Sequence, residues 1–240
     1  MKLFLSTLKK EFNMLLSTDE ILSALEEGTI VIDPFTKENL GNSSYDVSLG
    51  CYYFREIPPP ISQRHEGCHP IHNMYDPESV GRVWGEKSQR AKPLFDSHIE
   101  LKNISPTDLV IWLDPGESIL AHTQEFVGGL KNVNTEMKAR SSMGRNFLTV
   151  CRCAGWGDVG YINRWTMEIT NNSRFHRIPL VVGRRIAQIT FSKVTEVKRD
   201  DSYESKSDSK YQAGSTLEQV RSNWKPEDML PRMWEDREID

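Results

Sequence analysis

Cysteine is scarce in this chain, with four residues in 240: Cys51, Cys68, Cys151 and Cys153. That is few for a disulfide-held scaffold, and Cys151 and Cys153 fall on one face of an expected strand, where they could not easily bridge each other. Reduced thiols in a cytoplasmic compartment are expected. Positive charge is not in excess either: 34 Asp and Glu stand against 30 Lys and Arg, a net charge of -4. This balance argues against a general nucleic-acid binder and leaves room for a local basic pocket. Long hydrophobic runs are missing, and no stretch approaches the ~20 apolar residues that span a bilayer. The opening MKLFLSTLKKEFNMLLSTDEI carries Lys9, Lys10 and Glu11 among its apolar residues, with no small-residue cleavage site after it. A soluble protein is expected, with residues 1–14 as an extension. Internal repeats are also lacking.

What remains is an ordinary globular composition, 38% hydrophobic and 27% charged, in a chain long enough for one large domain or two small ones. STDEILSALEEG holds a capping box, Ser17 with Glu20, then apolar Ile21, Leu22 and Leu25 and a closing Gly28, which predicts a short helix. TIVIDPF follows as a β-branched run stopped by Pro34, and the alternation of SSYDVSLGCYYF predicts a strand over 43–54. From about 55 to 93 the chain is rich in Pro, Gly, His and charge and reads as a long insertion. Strands resume as HIELKNI, DLVIWL and SILAHTQEFV, the last two joined by Asp114-Pro115-Gly116-Glu117, a type II turn. VNTEMKA, FLTVCRC, RWTMEITN, IPLVV and IAQITFSKV complete the set. Many strands at regular spacing with little helix between them predict an all-β sandwich or barrel. The polar, Ser-rich stretch from Lys198 reads as a mobile tail, with a short helix before Pro226.

Three stretches carry candidate chemistry. In RWTMEITN, period-2 alternation puts Trp165, Met167 and Ile169 on one face and Thr166, Glu168 and Thr170 on the other. Glu168 then faces solvent, a cleft or a neighbouring subunit, and on a pocket wall it could shuttle protons. In GWGDVGY, three glycines let the backbone turn sharply around Asp158, either as plain turn chemistry or as a close approach to a ligand, with Tyr161 offering a flat face. In Lys138-Ala139-Arg140-Ser141-Ser142-Met143-Gly144-Arg145, two hydroxyls between two arginines suit an anion, although a solvated basic turn has the same composition.

Two further clusters invite a metal. His98-Ile99-Glu100 matches half of a zinc deaminase signature, whose other half, Pro-Cys-x-x-Cys, is missing from the chain. The run from His65 to His72 packs His65, Cys68, His69 and His72 into eight residues, within the insertion and without a second cysteine pair. Both read as chance or as polar loop, and no zinc is expected.

In combination, SSYDVSLG, RSSMGR, AGWGDVGY, WTMEITNNS and the tail positions Tyr203, Lys210, Tyr211 and Gln212 resemble the dCTP deaminase branch of the dUTPase-like superfamily, from about residue 15 to 215. The resemblance implies a mainly β fold, a compact antiparallel barrel over 15–200 with a short N-terminal helix, and a tail over 201–240 that closes on a nucleotide. It implies a homotrimer with active sites at subunit interfaces, and Mg²⁺ bound through the triphosphate. Carried over residue by residue, Glu168 becomes the general acid/base of cytosine deamination. Ser141, Arg145 and the carbonyl of Ala154 position the water and stabilise charge. Asp158 holds the 3′-hydroxyl, Tyr161 lies against the sugar, and Arg140 and Ser142 bind phosphate. Tyr203, Lys210 and Gln212 close over the triphosphate.

Departures from the family pattern are Gly157, where a larger apolar residue is usual, and Asn163-Arg164 in place of a Gly-containing turn. Both are expected to widen the pocket, which raises a modified pyrimidine nucleotide as a substrate. Ala154-Gly155, an aromatic and Asp158 resemble the bifunctional members, which continue from dUTP to dUMP and pyrophosphate. A dUTPase and a non-catalytic nucleotide-binding relative are the competing functions.

Overall fold

The computed structural model describes residues 14–63, 69–205, 210–212 and 214–239. The expected extension, except Met14, and His65 to Cys68 lie outside them. No described helix is long and apolar enough to cross a membrane. In chain order the elements are α1 (Thr18–Glu26), β1 (Ile30–Asp33), β2 (Tyr45–Arg55), α2 (Pro77–Trp84), β3 (Gln89–Arg90), β4 (Lys92–Pro93), β5 (Leu109–Leu113), β6 (Ser118–Gly129), β7 (Val133–Ala139), α3 (Ser141–Arg145), β8 (Leu148–Thr149), β9 (Trp156–Gly157), β10 (Ile162–Asn171), β11 (Ile178–Val181), β12 (Arg185–Lys193) and α4 (Leu217–Asn223).

Nine strands form one curled antiparallel sheet in the order β8-β10-β6-β2-β12-β7-β9, with β1 added on β6 and β3 on β2. The curl is built into β2. Its first half pairs with β12 and its second half with β6, and the register on β6 shifts between Leu49 and Tyr53. A strand that serves two partners in succession bends the sheet round into a barrel wall. A second sheet, β11-β5-β4, lies beside it. Tyr45, Val47, Leu49, Ile119, Ala121, Met167, Ile169, Ile189 and Phe191 fill the core, each essentially inaccessible to solvent.

Helix α1 starts where the capping box predicts. The Glu20 carboxylate accepts from the Ser17 backbone N–H and hydroxyl, and Gly28 leaves the helix at φ 64°. The turn at 114–117 is also as expected, with Gly116 at φ 77°. One expected strand is not there and another is cut short. In HIELKNI, His98 and Asn103 adopt left-handed backbone at φ 55° and 66°, which extended pairing does not allow, and the stretch runs as turns. In FLTVCRC only Leu148–Thr149 is strand, because Phe147, Cys151 and Arg152 all have positive φ. The two cysteines therefore share no strand face: Cys151 is buried and Cys153 exposed.

The stretch 55–93 is more regular than its composition suggests. Asp76 caps α2, accepting from the backbone N–H groups of Glu78 and Ser79, with Pro77 at the first helical position. Its last residue, Trp84, packs with Phe54, Leu120 and Met229. Residues of the C-terminal segment thus meet the insertion over one edge of the barrel.

Candidate functional site

Strand β10 carries the site. From Arg164 onward its residues alternate strictly, with Trp165, Met167 and Ile169 buried and Arg164, Thr166, Glu168 and Thr170 half-buried on the opposite face. Its pairing with β6 shifts between Arg164 and Thr166. There Trp165 donates its backbone N–H to Thr123 Oγ1 and its indole N–H to the Val127 carbonyl, both at 2.9 Å. This anchors the strand and leaves the outer face free for the site.

Glu168, Ala154, Asp158 and Tyr161 line one cavity of about 640 Å³. One carboxyl oxygen of Glu168, Oε2, is buried and has no hydrogen-bond partner. Burial raises its pKa above the ordinary carboxylate range, opposed by its own backbone N–H and by the nearby Arg152 cation. A buried, proton-avid carboxyl with an unused oxygen on a cavity wall is equipped for proton transfer.

The turn before β10 is held by close backbone approach. A Cβ at Gly155 would lie 2.2 Å from the Met137 carbonyl oxygen, and one at Gly157 would lie 2.3 Å from Thr135 Oγ1 and 2.4 Å from Trp165 Cη2. Only glycine fits at either position. The missing side chain at Gly157 therefore does not widen the pocket as expected, because the Trp165 indole already fills that space. Asp158, exposed at the rim, accepts the Trp156 indole N–H at 3.0 Å. Tyr161 meets Trp165 and Tyr203 edge-on, at 5.4 and 5.1 Å between ring centres. Burial and the neighbouring Tyr203 push its phenol pKa up. Asn163 and Arg164, the second departure, both line the cavity; the Asn163 amide donates to the Tyr211 carbonyl and its oxygen accepts the Arg164 backbone N–H.

The tail is seated on this site. Gln212 accepts the Ile162 backbone N–H at 2.7 Å and donates to the carbonyls of Gly160 and Gly214. Tyr203 accepts the Tyr211 N–H at 3.3 Å. Lys210 pairs with Asp236, and its carbonyl accepts from Arg232.

The basic motif is elsewhere. Ser141, Ser142 and Arg145 are exposed on α3, and none of them, nor Arg140, lines the Glu168 cavity. Met143, between them, lines a separate apolar groove with Phe147, Ile178 and Arg185. Arg140 pairs with Asp46 at 3.3 Å and donates to the Arg185 carbonyl. A single chain thus gathers Glu168, Ala154, Asp158, Tyr161 and the tail, and holds the four residues of the basic motif apart from them.

Several lining residues escape a reading by motif. Arg164 stacks on Phe126 and Trp224, 4.9 and 4.7 Å from the ring centres. The alternation that exposes Glu168 also places Arg164 on its face, so this one was findable. Trp156, His72, Trp84 and Trp224 also line the cavity, and no local signal marks the last three.

Residues 15–194 match the dCTP deaminase-like family. A "dCTP deaminase, dUMP-forming" of Methanococcus aeolicus is 32% identical over 181 residues, covering 75% of this chain and 84% of that one. A protein of the same description from Methanosphaera stadtmanae is 30% identical over 215 residues, 88% of this chain and 95% of that one. Among solved structures, the 2′-deoxycytidine 5′-triphosphate deaminase from Agrobacterium tumefaciens superimposes with a TM-score of 0.50 at 15% identity. That match covers 75% of this chain and spans about half, 48%, of the other, and is a likeness of fold.

Proposed function

Because the chain belongs to the dCTP deaminase-like family, we propose that it hydrolyses dCTP to dUTP and ammonia, with Glu168 as the general acid/base. The observation that carries this reading is the Glu168 carboxyl, buried on a cavity wall with a raised proton affinity and an unpartnered oxygen. As carboxylate it takes a proton from the attacking water. As carboxylic acid it passes that proton to N3 as the C4–O bond forms; it then takes the second proton, from the C4 hydroxyl of the adduct, and passes it to the amine, so that the C4–N4 bond breaks and the C4 carbonyl is left. The Ala154 carbonyl accepts from the water, Asp158 takes the sugar 3′-hydroxyl, and Tyr161 packs against the sugar.

The positions of Ser141 and Arg145, away from the Glu168 cavity, support a homotrimer in which a neighbouring copy's α3 completes each site. Arg140 and Ser142 of that copy would meet the phosphates. The triphosphate arrives with its Mg²⁺ as part of the substrate. Tyr203, Lys210 and Gln212 would close over it, Lys210 exchanging Asp236 for a phosphate oxygen. No zinc enters this reading, because Glu168 with the Ala154 carbonyl, Ser141 and Arg145 takes over activation of the water, and the reaction belongs in the cytoplasm, where free nucleotides are interconverted. The description of the two relatives as dUMP-forming supports a second step, hydrolysis of dUTP to dUMP and pyrophosphate.

The test is to incubate the protein with dCTP or dUTP and Mg²⁺ and to resolve dUTP, dUMP and ammonia. Ammonia from dCTP, lost in Glu168→Gln, is the expected result. Hydrolysis of dUTP without action on dCTP would replace the deaminase by a dUTPase, and binding without turnover would leave a nucleotide-binding relative.

A further inference from the structure

Glu168 borders two cavities. The second, of about 960 Å³, shares Glu168, His72, Trp84 and Leu120 with the first. Its other walls are Pro58 to Pro60, His69 and Arg82 from the insertion, and Arg152 from the barrel. The first cavity already lies in the range of about 300–1,000 Å³ that encloses a small-molecule ligand. Asp158 and Tyr161, which hold the sugar in the deaminase reading, line the first cavity and not the second, which opens on the other side of Glu168.

Under the deaminase reading, the chamber's place relative to the base follows from ring chemistry. With the sugar at Asp158 and Tyr161 and the reacting C4 at Glu168, the base points its far edge past Glu168. Three atoms flank C4 there. N3 takes a proton and N4 departs, whereas C5 has no part in the reaction. A group on C5 can project beyond Glu168 without obstructing water or amine.

One side chain is poised to read such a group. Arg152 Nη2 donates to Ser118 Oγ at 2.8 Å and to Thr170 Oγ1 at 3.0 Å, and those two hydroxyls lie 2.7 Å apart. The guanidinium has five N–H donors, so its Nε and Nη1 hydrogens remain for a ligand in the chamber.

We propose that the substrates of this protein include deoxycytidine triphosphates with a polar substituent on C5, housed in the insertion-walled chamber and hydrogen-bonded by Arg152. The proposal rests on the deaminase reading and extends its substrate class. The reaction is unchanged: water adds at C4, ammonia leaves, nothing is oxidised or reduced, and the C5 substituent is retained.

The experiment measures kcat/KM of the full chain for 5-hydroxymethyl-dCTP and dCTP by ammonia release and chromatography of the products. The substituted nucleotide is expected to be used at least as well as dCTP. Arg152→Met is expected to lower the ratio of the two kcat/KM values by about tenfold, as for loss of a hydrogen bond to a charged group. His69→Trp, on the exposed rim, narrows the chamber and should lower the same ratio. A dCTP deaminase that rejects 5-hydroxymethyl-dCTP by about a hundredfold overturns the proposal. So does an unchanged ratio in both variants. Deamination of neither nucleotide overturns the deaminase reading itself.

Discussion

The indole of Trp165 stands in the space that any side chain at Gly157 would need, its Cη2 only 2.4 Å from where a Cβ would sit. Trp165 is itself fixed by its hydrogen bond to Val127 and cannot easily withdraw. Gly157→Ala is therefore expected to destabilise the fold by roughly 1–3 kcal/mol, the usual cost of overpacking, seen as a lower thermal midpoint. Trp165→Phe in the same chain should cost less than the two single changes added together, because the smaller ring vacates the contested space. Additive losses would show that the two positions do not compete.

A buried histidine sets an acid limit. His122 is 1% exposed, with Nδ1 against the Thr123 carbonyl and Nε2 accepting the Tyr52 N–H. That arrangement suits the neutral ring, and burial with the nearby Arg164 lowers its pKa from 6.5 to about 4. The unfolded chain binds this proton below pH 6.5 and the folded one does not until about 4. Stability from this group is thus complete above 6.5 and lost as pH falls through that window, by about 3 kcal/mol at about 1.4 kcal/mol per unit. Chemical denaturation from pH 7 to 4 should show a steeper loss in the native chain than in His122→Gln. Parallel curves would place the proton elsewhere.

How much of this could be read from residue order depends on whether the determinant is local. The β10 face was legible because alternation is a property of neighbours, and the α1 caps because a capping box spans four residues. The strands expected at 98–104 and 147–153 failed at His98, Asn103, Phe147, Cys151 and Arg152, non-glycine residues whose left-handed backbone no composition announces. Gly157 misled because its partner is eight positions away, across the bend into β10. Trp224 reaches the cavity from within the tail, where long-range packing alone decides. The insertion's role as a wall, through His72 and Trp84, is of the same kind.

Glu168 should make the folded chain less stable as pH rises. Its folded pKa lies above that of the unfolded chain, so its contribution is fully present below the unfolded value, near 4.5, and is lost as pH climbs through the folded one. Glu168→Gln removes the buried charge. Its thermal midpoint should exceed that of the native chain at pH 8, with the gap shrinking toward pH 4. A gap constant across that range would mean that Glu168 ionises as freely as a surface carboxyl.

Gln212 is the clasp of the tail, since its side chain alone bonds to Ile162, Gly160 and Gly214. Each such bond is worth a net ~0.5–1.5 kcal/mol. Gln212→Ala should loosen the tail around 210–214 and leave the barrel intact. Amide exchange at Ile162 should accelerate and proteolysis within 201–240 should rise, with little change in global unfolding. Unaltered protection at Ile162 would show that the tail is held by other contacts.

The separation of Arg145 from Glu168 gives the sharpest test of assembly. If each site takes Glu168 from one copy and α3 from another, Arg145→Ala and Glu168→Gln homotrimers should both be inactive. Mixed trimers would rebuild some sites in which one copy supplies a native Glu168 and its neighbour a native Arg145. Refolding or co-expressing the two variants together should thus restore deamination to a substantial fraction of the native rate, rising and falling with the mixing ratio. If both residues acted within one chain, every site would keep one defect and the mixture would stay as inactive as its parents. Because Arg145 is exposed and Glu168→Gln conserves shape, neither loss should come from misfolding, which circular dichroism of each parent checks directly.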